Sequence, residues 1–319
     1  MKMDRNGLDL EARAYLEEAD ARNQAPLISF GREEAGRLRN EINAEILKLL
    51  GPPVNSVSVR EVRVPGFQED ITLRIYSPPA DGPFGIFFYI HGGGFVIGNL
   101  ETHDRTCANI CKNAGSVVVS VDYHLAPEHP FPVPLEDCYS AFRWITEHTG
   151  ELKGKDGLIA VGGDSAGGNL TAALTLLARD RGVRKIGYQI LIYPAVDFFN
   201  QDTESIRLFT EGFGLTLDDA IWFSDCYLPD KGDQRNPLAS PLLAEDLSGL
   251  PPAHVITAGY DILRDGGRSY AEKLRLAGVP VTETCYENQI HGFLNYDGII
   301  RAAYGAFEDI AVKLKEFFG

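Results

Sequence analysis

A serine set between glycines straight after a short apolar run narrows the folds open to this chain more than any other feature. Leu158-Ile159-Ala160-Val161 leads into Gly162-Gly163-Asp164-Ser165-Ala166-Gly167-Gly168. The apolar run reads as a strand, and the Gly-x-Ser-x-Gly spacing is that of a nucleophile elbow, where a strand turns sharply into a helix. Glycine at 163 and 167 lets strand and helix crowd together while the serine takes a strained backbone conformation. The helix is expected to begin near Asn169, so that its positive end favours negative charge at the Ser165 hydroxyl. An ordinary loop between strand and helix could carry the same residues, and the remainder of the chain has to separate the two readings.

A nucleophilic serine needs donors for the charge that develops on the carbonyl it attacks. His91-Gly92-Gly93-Gly94-Phe95 follows the strand-like Ile86-Phe87-Phe88-Tyr89-Ile90. Three glycines leave backbone N–H groups bare. Gly93 and Gly94, joined by Ala166 just after the nucleophile, form the expected oxyanion hole, each donor worth roughly 3–4 kcal/mol. A phosphate cradle is the competing reading of the glycines. No Gly-Lys-Ser/Thr follows them, and no Gly-x-Gly-x-x-Gly opens a helix after the first strand.

In an elbow of this kind the partners run serine, acid, histidine along the chain. Of the seven histidines only His254 and His291 follow Ser165. His254 lies inside the apolar run Ala253–Ala258, where a structural role is expected. His291, in Gln289-Ile290-His291-Gly292-Phe293, falls in a loop after the strand-like Val281–Tyr286, and loops at the carboxyl ends of strands carry catalytic groups. It is the candidate base. Asp261 ends the run from His254 to Tyr260 and is the candidate acid, fixing the histidine tautomer and stabilising the imidazolium. Asp265 stands four residues on, where a helix should be starting, and suits a first-turn carboxylate better. Asp164, beside the serine, reads as structural support, since adjacent residues point in different directions.

With these residues in place, the chain resembles the hormone-sensitive-lipase-type α/β-hydrolases, close to bacterial acetyl esterases and short-chain carboxylesterases. The matching segments are His91–Phe95, Asp122-Tyr123-His124-Leu125-Ala126-Pro127-Glu128-His129-Pro130-Phe131-Pro132, Gly163–Gly168, Ser240-Pro241-Leu242, Gly259–Asp265 and His291-Gly292-Phe293. They span nearly the whole chain in the family's order. One family pattern resembles Tyr-Arg-Leu-Ala-Pro-Glu, and here His124 stands in place of the arginine. The resemblance implies two-step acyl transfer on short acyl esters, acetyl to hexanoyl, with no metal or organic cofactor. An amidase, lactonase or deacetylase could use the same elbow, and a receptor could keep the fold without the chemistry.

Strand-like runs recur at Val57–Arg63, Ile71–Tyr76, Ile86–Ile90, Val117–Val121, Leu158–Val161, Ile186–Ile192, Ala253–Ala258 and Val281–Tyr286, alternating with helical stretches. They predict an α/β-hydrolase fold: a mostly parallel eight-stranded sheet with helices on both faces. Two segments stand outside the alternation, residues 1–50 and residues 197–233. Both are expected to form a helical cap, dividing the chain into N-terminal cap helices (1–50), a first core part (51–196), a cap insertion (197–233) and a second core part (234–319). Phe95 and Phe213 are the candidate substrate contacts, although the sequence alone does not decide which cap aromatics face the pocket.

The formal charge of −15 argues against nucleic acid and leaves a small neutral ester as the fitting partner. No run of eighteen apolar residues occurs and Met1–Asn6 opens no apolar signal core, so no membrane segment is expected and a cytoplasmic location is. A homodimer is compatible with the composition. The five cysteines are odd in number, scattered, and without zinc-ligand spacing; they are expected to be reduced packing thiols.

Overall fold

In the computed structural model residues 5–22, 25–200 and 202–319 are described. Parts of the two expected cap segments (residues 1–4, 23–24 and 201) lie outside the described residues, as does most of the Met1–Asn6 start. The strands are β1 (Ser58–Pro65), β2 (Asp70–Ser77), β3 (Phe84–Ile90), β4 (Val117–Asp122), β5 (Gly154–Asp164), β6 (Tyr188–Ile192), β7 (Ala253–Tyr260) and β8 (Val281–Ile290). The α-helices are α1 (Leu10–Arg22), α2 (Ala35–Lys48), α3 (Asp104–Ala114), α4 (Val133–Glu147), α5 (Ala166–Asp180), α6 (Glu204–Phe209), α7 (Leu217–Tyr227), α8 (Arg264–Leu276) and α9 (Ala302–Phe318).

The eight strands form one sheet in the order β1-β2-β4-β3-β5-β6-β7-β8. β2 runs antiparallel to β1 and β4, and every pairing from β4 to β8 is parallel. The central strands read as unbroken apolar runs because helices cover both of their faces. On β3, Ile86, Phe88 and Ile90 face the core shared with α4 and α5, while Phe87 and Tyr89 face the core shared with α3 and α9. Each such fully buried side chain contributes roughly 1.5–3 kcal/mol. β1 lies at one edge, and its Arg60, Glu61 and Arg63 keep that edge charged.

Two boundaries move from their expected places, and both sharpen the site. β5 continues to Asp164 and α5 starts at Ala166, three residues before Asn169, so Ser165 alone forms the turn. β8 runs on past Tyr286 to Ile290, which brings His291 directly to a strand end. The extension is hard to see in sequence because Glu287 and Asn288 are exposed polar residues on an edge strand whose last residues, Gln289 and Ile290, are buried. Helices α1, α2, α6 and α7 pack over the carboxyl ends of the parallel strands. Trp222 of α7 donates its Nε1–H to the carbonyl of Phe30, 2.9 Å away, and so joins the N-terminal segment to the insertion.

Candidate active site

Ser165 sits at φ 56°, a conformation other side chains rarely take, between the last residue of β5 and the first of α5. Backbone proximity explains the flanking glycines. A Cβ on Gly163 would lie 2.3 Å from the Ile90 carbonyl oxygen, and one on Gly167 would lie 2.0 Å from the same atom and 2.6 Å from that of His91. Any side chain there would push the elbow away from the loop that follows β3.

His291 Nε2 lies 2.9 Å from Ser165 Oγ, and His291 Nδ1 lies 2.8 Å from Asp261 Oδ2. A carboxylate only accepts, so Nδ1 carries the proton and Nε2 is left to receive the serine's. Asp261 is 1% exposed, and its Oδ1 accepts the N–H of Leu263 at 2.8 Å. Tyr193 packs its ring on the imidazole at 4.8 Å between centroids. Gly292, at φ 77°, turns the chain immediately after the histidine.

The two rivals stand elsewhere. Asp265 lies in the first turn of α8, where it accepts the Ser205 N–H at 2.7 Å and the Arg264 Nε–H at 2.8 Å. Burial raises its pKa, but Arg264 and Ser205 outweigh that and leave it below the usual carboxylate range. It tethers α6 to α8. His254 is buried in β7, its Nδ1 2.8 Å from Thr282 Oγ1, and burial with Lys313 nearby lowers its pKa to about 4.

Gly93 and Gly94 adopt φ 113° and 57°. Their N–H groups meet no acceptor among the described residues, and Ala166, the first residue of α5, contributes one of the N–H groups that a helix start leaves unpaired. The loop is anchored at both ends: Val96 and Ile97 donate to the Gly93 carbonyl, and Gly92 donates to Asp164 Oδ1 at 3.0 Å. Asp164 also accepts from the Tyr89 hydroxyl at 2.6 Å and from Asn295 Nδ2 at 2.8 Å. Burial opposes its charge, but His103, Tyr89 and Asn295 prevail and hold its pKa at about 2. Sequence reasoning placed Asp164 as support but missed Tyr89, His103 and Asn295, which carry no motif. His124, the departure from the family pattern, sits with Nδ1 2.7 Å from the buried Asp137, whose other oxygen accepts the Phe67 N–H.

A cavity of about 1190 Å³ opens above Ser165 and His291, with Phe30, Leu38, Phe198, Leu215, Phe223 and Tyr296 on its walls. Phe223 lies against the oxyanion loop, since a Cβ on Gly94 would fall 2.3 Å from its ring. The two aromatics expected to touch substrate are placed differently. Phe95 borders the cavity, but its ring is 1% exposed and stacks on Tyr227 with centroids 3.7 Å apart. Phe213 does not line the cavity; its ring packs against Phe209 and Tyr260. Mutual burial of three rings outweighs exposing one to a cavity wall, and nothing local in the sequence reveals that their elements meet.

With that geometry, the comparisons with known proteins converge. The sequence profile of the alpha/beta hydrolase fold matches residues 87–295. The chain therefore belongs to the α/β-hydrolase family, in its hormone-sensitive-lipase-type branch. It is 46% identical over 251 residues to the carboxylic ester hydrolase LipN of Mycobacterium tuberculosis, a match covering 77% of this chain and 66% of that protein. It is 35% identical to an arylesterase of Saccharolobus solfataricus across 98% of this chain and 99% of that one. Among solved structures, the hyperthermophilic esterase of Pyrobaculum calidifontis superposes with a TM-score of 0.90 at 39% identity, covering 97% of this chain and 98% of that one. Among the described residues no helix is long and apolar enough to cross a membrane.

Proposed function

We propose that this chain is a serine carboxylesterase that hydrolyses short-chain acyl esters through an acyl-enzyme on Ser165. One observation carries the reading: an unbroken hydrogen-bonded chain from Ser165 Oγ through His291 to the buried Asp261, set beside two glycine N–H groups with no acceptor among the described residues. Ser165 attacks the ester carbonyl while His291 Nε2 takes its proton, and Asp261 steadies the imidazolium. The N–H groups of Gly93, Gly94 and Ala166 receive the oxyanion. His291 then protonates the departing alcohol, and water repeats the sequence on the acyl-enzyme. The named esterases among the relatives support ester chemistry, and the family resemblance supports short acyl chains. Helices α1 and α2, with the insertion around α6 and α7, act as the cap that bounds the acyl group.

A hydrolysis panel of p-nitrophenyl esters from acetate to octanoate, with anilide and lactone analogues alongside, tests the reading. Short esters are expected to turn over fastest, and Ser165→Ala to lower kcat on the order of 10⁴-fold with the fold retained. An inactive wild type, faster anilide than ester cleavage, or a folded Ser165→Ala enzyme with a tenth of normal turnover would each overturn it.

A further inference from the structure

The oxyanion loop and the histidine loop come from strands on opposite sides of the elbow, yet one buried polar network joins them. Asp164 Oδ1 holds the Gly92 N–H at 3.0 Å, at the root of the glycine triplet, and Asp164 Oδ2 holds Asn295 Nδ2 at 2.8 Å, four residues beyond His291. A Cβ on Gly92 would sit 2.4 Å from Asp164 Oδ2, so the carboxylate and the loop are in direct contact. Asn295 is itself pinned: its Oδ1 accepts the Thr106 hydroxyl of α3 at 2.9 Å, and its Nδ2 lies 3.2 Å from His103 Nε2.

The protons of this network can be counted. Thr102 Oγ1 donates to the Asn99 carbonyl, so the contact of 2.9 Å between Thr102 Oγ1 and His103 Nδ1 requires the proton on Nδ1. Asn295 gives one N–H to Asp164 and holds its Nδ2 3.2 Å from Nε2, which lies 3.4 Å from Asp164 Oδ1 and, when it too carries a proton, faces that carboxylate as a cation. Tyr89, His103, Thr106, Asp164 and Asn295 are all buried, and none is a group that the proposed acyl transfer uses directly. A network this deep and this fully paired fixes geometry.

We infer that Asn295 is a positioning residue: through Asp164 it holds the oxyanion loop in register with the loop that bears His291, so that the oxyanion donors and the general base address the same carbonyl. The inference rests on the esterase reading above. Misplacing donors by a fraction of an ångström weakens an interaction made chiefly in the transition state, so the loss belongs in kcat and not in KM.

The test is a swap of donor and acceptor. Asn295→Asp places two carboxylates face to face, and Asp164→Asn places two amide groups face to face. Asp164→Asn/Asn295→Asp restores a donor-to-acceptor contact, still leaving an oxygen for Gly92 and Tyr89, another for Thr106, and a carboxylate before His103, whose Nε2 then carries a proton. Each single variant is expected to lose about 10- to 100-fold in kcat with KM within about twofold, and the double variant to recover at least about tenfold of it. Affinity for a trifluoromethyl ketone, whose adduct with Ser165 puts an oxyanion in the hole, should fall and recover in parallel. A double variant no better than the singles, or ketone affinity unmoved while kcat falls, overturns the inference. Should the single variants fail to fold, Thr106→Val removes only the donor to Asn295 and should give a smaller loss of the same kind; an unchanged kcat and ketone affinity there would overturn it equally. An inactive wild type would instead condemn the esterase reading.

Discussion

At the ends of β3 and β5 the backbones approach too closely for a methyl group, whereas α1, α2, α6 and α7 are held above them by side-chain contacts. α5 buries every residue from Ala166 to Ala178; α1 buries only Ala12 and Leu16. The elbow meets the end of β3 at 2.0 Å from a hypothetical Gly167 Cβ, while the two covering segments meet through side-chain hydrogen bonds from Trp222 to the Phe30 carbonyl, Arg32 to the Asp225 carbonyl and Arg5 to the Gly212 carbonyl. Close packing leaves no room for alternative geometry, and sparse packing does. The core half of the site should therefore govern the rate of chemistry, and the covering half should govern which substrate is accepted.

The largest effect should come from breaking the core half. Asp261→Asn, which misorients the imidazole, should lower kcat by about three to four powers of ten. Asp265→Asn should leave turnover close to wild type and lower the melting temperature, because it weakens only the contacts to Ser205 and Arg264. Steady-state kinetics beside thermal denaturation decide the matter; an Asp265→Asn enzyme that loses turnover more than Asp261→Asn, at unchanged melting temperature, contradicts the division.

Removing residues 1–45 tests the covering half at its widest. The histidine loop keeps its own anchors, since Gly298 donates to the Leu49 carbonyl and Gly51 donates to Asp297, so the sheet and triad should survive. The butyrate-to-octanoate ratio of kcat/KM should shift several-fold, as each gripped methylene is worth about 1–3 kcal/mol. A folded, truncated enzyme with the original ratio would make α1 and α2 packing elements without a part in recognition. Phe223→Ala is the narrower version. Clearing the ring from Gly94 should raise relative kcat/KM for branched or longer esters by about threefold or more, since the ring bounds the space beside the oxyanion donors. Unchanged relative rates would remove Phe223 from the specificity wall.

A separate effect, on acid stability and not on turnover, belongs to the sheet. His254 has its pKa lowered to about 4, by burial first, from an ordinary 6.5. Between those values the unfolded chain binds a proton that the folded chain does not, so stability present above pH 6.5 is lost as the pH falls toward 4. The contribution is roughly 3 kcal/mol at most. His254→Gln should flatten that acid limb, read as urea midpoints at pH 7 and 4.5, without altering turnover. A limb as steep as wild type would place the acid sensitivity elsewhere.

Much of the site was legible because its constraints are local. The elbow, the glycine triplet and the order serine, acid, histidine each show within a few residues, and placing Asp261 and Asp265 required only recognising where β7 ends and α8 begins. Less legible were the side chains that support these groups. Nothing near Asn295 in the chain announces a partner at Asp164, because 131 residues separate them. Phe213 and Phe223 are both aromatics of the insertion, yet one packs on Phe209 and Tyr260 and the other lies on Gly94.

The sequence by itself determined the class of fold and the chemistry at its centre, since strand periodicity, glycines at close approaches and the spacing of nucleophile, acid and base act over short stretches of chain. Only the tertiary structure decided that Trp222 ties the N-terminal segment to the insertion, that Asp164 spans two loops, and which aromatics face the cavity. Those outcomes depend on which distant surfaces exclude water from each other. Burial and polar pairing between segments far apart in the chain are settled only when the whole core packs.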